Sequence, residues 1–440
     1  MYAYGAPGIG GETVTEAKME LYAQAGFNRI LLFGSTQCAW ESSVWETNKR
    51  QAEATVEAAW AEGIEQFIIR DTGLEALTTS TWASKTDDEI KTQIRAYFNR
   101  YLTWKIDGKY VITGVDLGDE PKGSSLEQYG RVYKLVKAVA KESGYNRSDL
   151  EIYVCLLPAY GGTDMYTLDG AAVSEENRYS AYRTYVKTFL EKTDATKFVV
   201  DVYPFEAKTL GLVGYLKEGY YATLQIVAEE ATAADAQYGF VLQSTGESSR
   251  WRTVNEALMA LQTNSAIGFG ATEIGFFRYM PTSSATNSDA YFVETDGVTT
   301  NDVYEYAKEQ LTIAQSFASI ILSFEYNASA LYGSSSERYF ENYAVGFEND
   351  EFEIAEVSFS EGMGLATELY DSVNGLYAYM LQNVLDTVYG TATTTITATF
   401  EGYTRAAVII DGEVSYVDLE DGVYTVSLSN GQAVYVIPLA

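Results

Sequence analysis

Eight short apolar runs, most of them separated by stretches with helical periodicity, constrain the first 325 residues more than any other feature. The runs are YAYG at the start, NRILLFG (28–34), EQFIIRD (65–71), YVITGVDLG (110–118), LEIYVCLLP (150–158), KFVVDVYPF (197–205), YGFVLQS (238–244) and IGFFRY (274–279). They are β-branched or aromatic and apolar on both faces, as strands of a parallel sheet covered by helices are. VTEAKMELYAQAG precedes the second run and carries a glycine where a helix stops, and KRQAEATVEAAWAEG and LEQYGRVYKLVKAVAKESG precede the third and fifth. Eight strand–helix units in about 320 residues predict an α/β chain folded as a (β/α)8 barrel, the TIM-barrel arrangement. A doubly wound sheet is the alternative, but no GxGxxG follows the first strand.

The pattern changes after NDVYEYAKEQLTIAQSFASIILSF (301–324), which reads as the eighth barrel helix. From about 340 the chain alternates short strands and turns, with DG at 411–412 and 421–422 and NG at 430–431 as hairpin signals. The expected organisation is a barrel over 1–325 and a smaller β-sandwich over 326–440, with the stretch around 327–339 as the link.

Composition removes several chemistries. Histidine is absent, so there is no Ser-His-Asp triad and no His-ligated metal, and proton transfer falls to Asp, Glu, Tyr, Lys or Cys. Sixty-one acids against 30 Lys and Arg give a net charge of −31, without a basic cluster, which makes nucleic acid and anionic membrane surfaces poor partners. A neutral substrate is easier to reconcile with that field. Cys38 and Cys155 read as free thiols, and no metal spacing or organic cofactor is implied. No apolar run approaches bilayer length. A secreted or periplasmic chain without its leader, or a cytoplasmic one, would both look like this.

In a (β/α)8 barrel the active site lies at the C-terminal strand ends. Those ends carry Tyr4 and Pro7, then Gln37 and Trp40, then Arg70 and Asp71. The fourth carries Asp116, Asp119 and Glu120 in VDLGDEP, and the fifth Pro158 and Tyr160. The sixth carries Asp201 and Tyr203 in DVYPFE, the seventh Gln243, Glu247, Arg250 and Trp251, and the eighth Glu273, Arg278 and Tyr279. Aromatic faces stack on sugar rings, carboxylates and amides bond hydroxyls, and a carboxylate pair across such a mouth is what glycoside hydrolysis needs. Single acids after strands also serve as helix caps, and Asp71 fits that role as well.

GDEP (118–121), LLPAYGG (156–162), DVYPF (201–205), FVLQS (240–244) and AIGFGATEIGFFRY (266–279) follow in the order and spacing of a catalytic barrel. Together they resemble clan A glycoside hydrolases, near the family 42 β-galactosidases and their gut-bacterial relatives. The resemblance implies a retaining mechanism with glutamates after strands four and seven. It maps the acid/base onto Glu120, with Asp119 in place of the family's asparagine and the two acids coupled so as to raise the Glu120 pKa. The nucleophile position falls on Gln243, an amide, so Glu247 is expected to take that role or that of a base, with Asp201 and Asp71 as alternatives. Asp119, Asp201, Tyr203, Gln243, Tyr160, Arg278, Asp71 and Trp40 are the expected substrate contacts. The expectation is a glycoside hydrolase acting on an oligo- or polysaccharide, the rival being a carbohydrate-binding barrel that has lost its nucleophile. Oligomer formation is common in the family.

Overall fold

The computed structural model describes residues 1–8, 14–32, 45–206, 216–247, 250–281, 291–332, 354, 356–360, 363–387 and 393–439. Eight parallel strands form the first sheet: β1 (Tyr2–Ala3), β2 (Arg29–Leu32), β3 (Gln66–Arg70), β4 (Ile112–Asp119), β5 (Glu151–Leu156), β6 (Lys197–Val202), β7 (Gln237–Gln243) and β8 (Glu273–Phe277). Pairing runs β1-β8-β7-β6-β5-β4-β3-β2, consecutive throughout, with none of the order reversal a doubly wound sheet needs. The amide of Asn28 donates to the Met1 carbonyl at 3.1 Å, next to the seam between β1 and β2, so the sheet nearly closes into the expected barrel. Nine helices among the described residues accompany it: α1 (Glu16–Gln24), α2 (Trp45–Ala61), α3 (Thr72–Leu77), α4 (Asp87–Tyr101), α5 (Leu126–Ala140), α6 (Arg178–Thr193), α7 (Tyr220–Ala233), α8 (Glu256–Gly268) and α9 (Asp302–Ile321).

Alternation along the strands divides two cores. Leu31, Ile68, Tyr153, Cys155, Val199 and Val241 point inward with Tyr2, while Ile30, Phe67, Ile69, Val154 and Val200 meet the helices. Inside, the Tyr153 hydroxyl is hydrogen bonded to those of Tyr2 and Tyr4, at 2.7 Å each, so each ring fills apolar volume while its polar end is satisfied. Glu273, at the start of β8, lies at the opposite end from the expected site. There Arg29 bonds Gln66, Glu151 at 2.9 Å and Glu273 at 2.7 Å, and Lys197 also pairs with Glu273.

The C-terminal region holds two antiparallel sheets. Its strands are β9 (Glu325–Tyr332), β10 (Glu356–Phe359), β11 (Gly364–Asp371), β12 (Leu376–Asn383), β13 (Thr394–Thr399), β14 (Arg405–Ile410), β15 (Glu413–Asp418), β16 (Val423–Leu428) and β17 (Ala433–Leu439). The larger sheet is ordered β9-β11-β12-β17-β14-β15 and the smaller β10-β13-β16. Residues 327–332, expected in the link, belong to strand β9, which pairs with β11. YAVGFEND (343–350), in the region expected to alternate strands and turns, lies outside the described residues.

Asp411-Gly412 is a two-residue hairpin turn with both residues at positive φ, as its DG signal predicted. Asn430-Gly431 is not a hairpin, because the chain there crosses from β16 in one sheet to β17 in the other. Its glycine is required for packing against the barrel. At φ +78° a Cβ would lie 2.0 Å from the Ala257 carbonyl oxygen of α8. Gly431→Ala is therefore expected to lower stability by about 3 kcal/mol, from overpacking together with a strained φ, read as a shift in urea midpoint at constant slope. A midpoint unchanged within error would mean that this contact is not tight.

Candidate active site

The sequence VDLGDEP acquires its geometry from a bulge. Asp116 pairs with Tyr153 and Asp119 with Cys155, so three steps on β4 match two on β5. Gly118, at φ +119°, donates its amide to Asp116 Oδ1 at 2.8 Å, which uses the buried Asp116 as the internal brace of the bulge. Glu120 follows at φ +47°, pinned by its amide to the Cys155 carbonyl at 2.9 Å. A non-glycine residue held in the left-handed region persists only where its surroundings over-determine it, and such residues cluster at functional sites. The extra residue turns Asp119 and Glu120 onto the rim.

They open into a cavity of about 860 Å³ at the C-terminal strand ends, within the size range of ligand sites. Asp201, at the end of β6, joins them in its wall, and Cys155 forms part of the floor. Asp201 is 8% exposed, and its Oδ1 has no hydrogen-bond partner. Burial pushes its carboxyl well up, and the charge of Glu120 and then of Asp119 pushes it further. Asp119 is reachable from the cavity yet recessed among protein atoms, and burial with the neighbouring Glu120 raises it to about 6, against the lowering pull of Arg70. Arg70 bonds Glu75 twice, at 3.0 and 2.8 Å, and lies 3.8 Å from Asp116.

Aromatic rings form another part of the wall. Tyr203 packs edge-on against Trp251, centroids 5.4 Å apart, and against Phe277 at 5.6 Å. The Tyr203 amide donates to the Tyr160 hydroxyl at 2.6 Å, so Tyr160 fixes the β6 exit while its ring carries Lys217 at 4.6 Å. Arg278 lines the same cavity, with its amide donating to Thr245 Oγ1 at 2.8 Å. Asp119, Glu120, Tyr160, Asp201, Tyr203 and Arg278 are thus brought together.

The remaining expected residues are placed elsewhere. Glu247 is half-buried beside a tight turn, its amide donating to the Trp251 carbonyl and its carbonyl accepting from Trp251, and it does not line the cavity. Gln243 is 1% exposed and acts as a clamp. Its Oε1 accepts from the Phe205 amide at 2.9 Å and its Nε2 donates to the Arg252 carbonyl at 3.0 Å, which leaves the amide side chain committed to backbone. Asp71 is fully buried and caps α3 by accepting from Gly73 at 2.9 Å. Trp40 and Cys38 lie outside the described residues, and Cys155 is a buried free thiol. Glu75, Lys217 and Phe277 line the cavity without having been singled out. Phe277 had a signal in its aromatic–Arg–aromatic setting, whereas Lys217 had none.

Three carboxyls give the fold a pH signature, Asp116 and Asp71 buried and Asp119 on the exposed rim. Burial raises Asp116 to about 7, Asp71 to about 6 and Asp119 to about 6, each from 3.8. Between those values the folded protein holds protons that the unfolded chain has released, so stability falls as pH rises from about 4 to about 7. The urea midpoint should be higher at pH 5 than at pH 8, and Asp116→Asn should flatten that difference. A midpoint that rises across this window would contradict the assignment.

Comparison with known proteins agrees with the fold. No protein-family model matches the sequence, and no curated protein is similar to it. Among solved structures, the GH27 β-L-arabinopyranosidase from Geobacillus stearothermophilus aligns over 100% of this chain and 95% of its own, at 9% identity and TM-score 0.50. A GH30 endoxylanase from Clostridium papyrosolvens C71 covers 97% of this chain and 94% of its own, at 9% identity and TM-score 0.45. A β-galactosidase from the psychrophilic Marinomonas ef1 covers 70% and 58%, at 9% identity and TM-score 0.46. At 9% identity these likenesses concern the fold alone. No helix among the described residues is long and apolar enough to cross a membrane, and no group of three or more Cys, Asp or Glu among them is arranged to hold a metal ion.

Proposed function

We propose that this protein hydrolyses O-glycosidic bonds, with Glu120 and Asp201 as its working carboxyls. The observation that supports this most directly is their electrostatic pairing at the barrel mouth, where burial and the charge of Glu120 favour a proton on Asp201. A carboxyl kept protonated by burial and a neighbouring charge is suited to act as an acid. Asp201 takes the acid role that the family resemblance assigned to Glu120. It protonates the glycosidic oxygen as the bond to the anomeric carbon breaks. The Glu120 carboxylate stabilises the cationic sugar and accepts a proton from the water that adds to that carbon. The proton then returns to Asp201, and the net reaction consumes one water. Asp119 accepts from a ring hydroxyl, and the Tyr203, Trp251 and Phe277 wall stacks the sugar. The barrel, 1–325, is the catalytic unit, and the sandwich, 326–440, packs against it.

The test is hydrolysis of a panel of aryl glycosides and plant or host glycans, β-galactosides first. Turnover by the wild-type chain supports an enzyme and identifies the sugar. Glycan binding without turnover would favour the carbohydrate-binding barrel, whose best support is the fully committed amide of Gln243 where the resemblance asks for a nucleophile.

A further inference from the structure

We propose that the cleft between barrel and sandwich is a second binding site, which takes a neutral glycan segment through its hydroxyls and does not cleave it. Such a site goes beyond the proposed hydrolysis and does not depend on it.

The cleft has a volume of about 490 Å³, within the size range of ligand sites, and shares no lining residue with the cavity at the strand ends. Helices α8 and α9 make its barrel side, through Ala257, Ala260, Asn264, Gln310 and Ile313. The sandwich side is the Asp411-Gly412 turn, the crossing at 429–432 and the start of β17. Ties across the junction hold the two sides in place. Ser316 Oγ donates to the Gly412 carbonyl and Asn255 Nδ2 to Thr387 Oγ1, each at 3.1 Å, and the Phe317 and Tyr435 rings pack with centroids 5.0 Å apart.

Gln310 is what the fold alone does not explain. It lines the cleft from α9 and is only 8% exposed, yet its side-chain amide has no hydrogen-bond partner among the described residues. The buried amides of Gln243, Gln262 and Gln382, by contrast, all donate to backbone carbonyls. Neither amide atom of Gln310 is sealed from solvent, so one donor–acceptor group, recessed but open, waits in the cleft wall. A recessed amide left unmet costs stability, which a ligand or water must offset. Asn264 adds spare capacity, since its Nδ2 donates once, to the Gly431 carbonyl at 3.3 Å, and its Oδ1 accepts once, from the Tyr435 hydroxyl at 3.4 Å.

The lining selects the ligand's charge. No Lys or Arg lines the cleft among the described residues, whereas Glu256, Glu309 and Asp411 stand exposed at it, so an anion finds no counter-charge. A cation would meet the carboxylates but leave the Gln310 and Asn264 N–H groups without acceptors. Vicinal sugar hydroxyls both donate and accept, as these amides do, and Ala257, Ala260 and Ile313 offer methyl surface to the C–H face of a ring.

The test is calorimetry on the full-length Glu120→Gln chain with β-1,4-linked hexasaccharides of glucose, xylose and galactose, and with a galacturonic hexasaccharide and spermidine as charged probes. A neutral hexasaccharide is expected to bind, with hydrogen exchange slowed over 429–435. Gln310→Met should weaken that binding about tenfold, the loss of one hydrogen bond, and Ala260→Trp should abolish it by filling the cleft. Without ligand, Gln310→Met should keep or raise the urea midpoint, because it removes an unpartnered amide, so weaker binding is not loss of fold. Such binding without turnover of any glycoside by the wild-type chain overturns the hydrolase reading and keeps the inference. Turnover together with glycan binding indifferent to Gln310→Met and Ala260→Trp overturns the inference and leaves the hydrolase reading standing. Tighter binding of spermidine or of the galacturonic probe, lost in Ala260→Trp, overturns the neutral-glycan assignment. No binding of any probe overturns the site.

Discussion

Glu120→Gln is expected to lower kcat by at least about 10³-fold with secondary structure intact, because it removes the charge that partners Asp201 and the group that accepts the water's proton. Asp201→Asn should give a loss of similar size, and the double variant should be little worse than either, since the two act as a unit. Glu247→Gln should leave turnover unchanged, because that residue sits outside the cavity lining. Glu120→Gly adds a readout that activity alone does not provide. At φ +47° glutamate is strained where glycine is not, so this inactive variant should gain about 1 kcal/mol of stability, read as a higher urea midpoint. Inactivation accompanied by a stability gain marks a residue kept for chemistry. Turnover that survives in Glu120→Gln, with Glu247→Gln inactive, would return the role to Glu247.

The second large effect lies at the junction of barrel and sandwich. Asp386 has a fully buried side chain and meets Arg252 at 2.6 and 3.2 Å, in the segment that follows β7. Arg252→Met leaves that carboxylate without its counter-charge, and breaking a buried pair from one side is expected to lower stability by about 3–5 kcal/mol. Restoring neutrality with Asp386→Asn in the same chain should recover part of the loss. The amide network beside it, Gln382 to the Leu261 carbonyl at 2.9 Å and Ser265 to Gln382 at 2.9 Å, holds the same interface. The expected result is therefore one cooperative urea transition moved to lower concentration. Retention of the wild-type midpoint in Arg252→Met would show that Asp386 is hydrated there.

The barrel was legible because each strand is buried on both faces and so writes an uninterrupted apolar run, while each helix writes a 3.6-residue period. The rim acids Asp119 and Glu120 were legible because like charges at a strand exit conflict with burial. Strand β11, GLATELYD, is hard to read from sequence because a mixed run of small, polar and apolar residues has little period-two contrast, and its pairing with β9 depends on residues over 30 positions away. Glu247 stands outside the cavity lining for a related reason. Spacing counts residues, whereas the turn that joins Glu247 to Trp251 folds the carboxylate's segment back on itself. Gln243 illustrates the limit at a single position, since sequence cannot tell an amide offered to a ligand from one committed to two neighbouring loops.

The ionic floor has a mechanical consequence. Strand β1 is two residues long and, among the described residues, has ladder pairing only with β8, which makes its junction with β2 the thinnest part of the ring. Arg29 begins β2 and grips Glu273 at the start of β8, so the tie passes beneath β1 and joins its two flanking strands directly. Burial alone would raise the Glu273 carboxyl, but Arg29 and Lys197 outweigh it and hold it below its ordinary range, so the tie survives mild acid. The ring thus has a keystone beneath its shortest stave. The circumference that aims Glu120 and Asp201 is thereby closed by side chains where the backbone ladder is shortest.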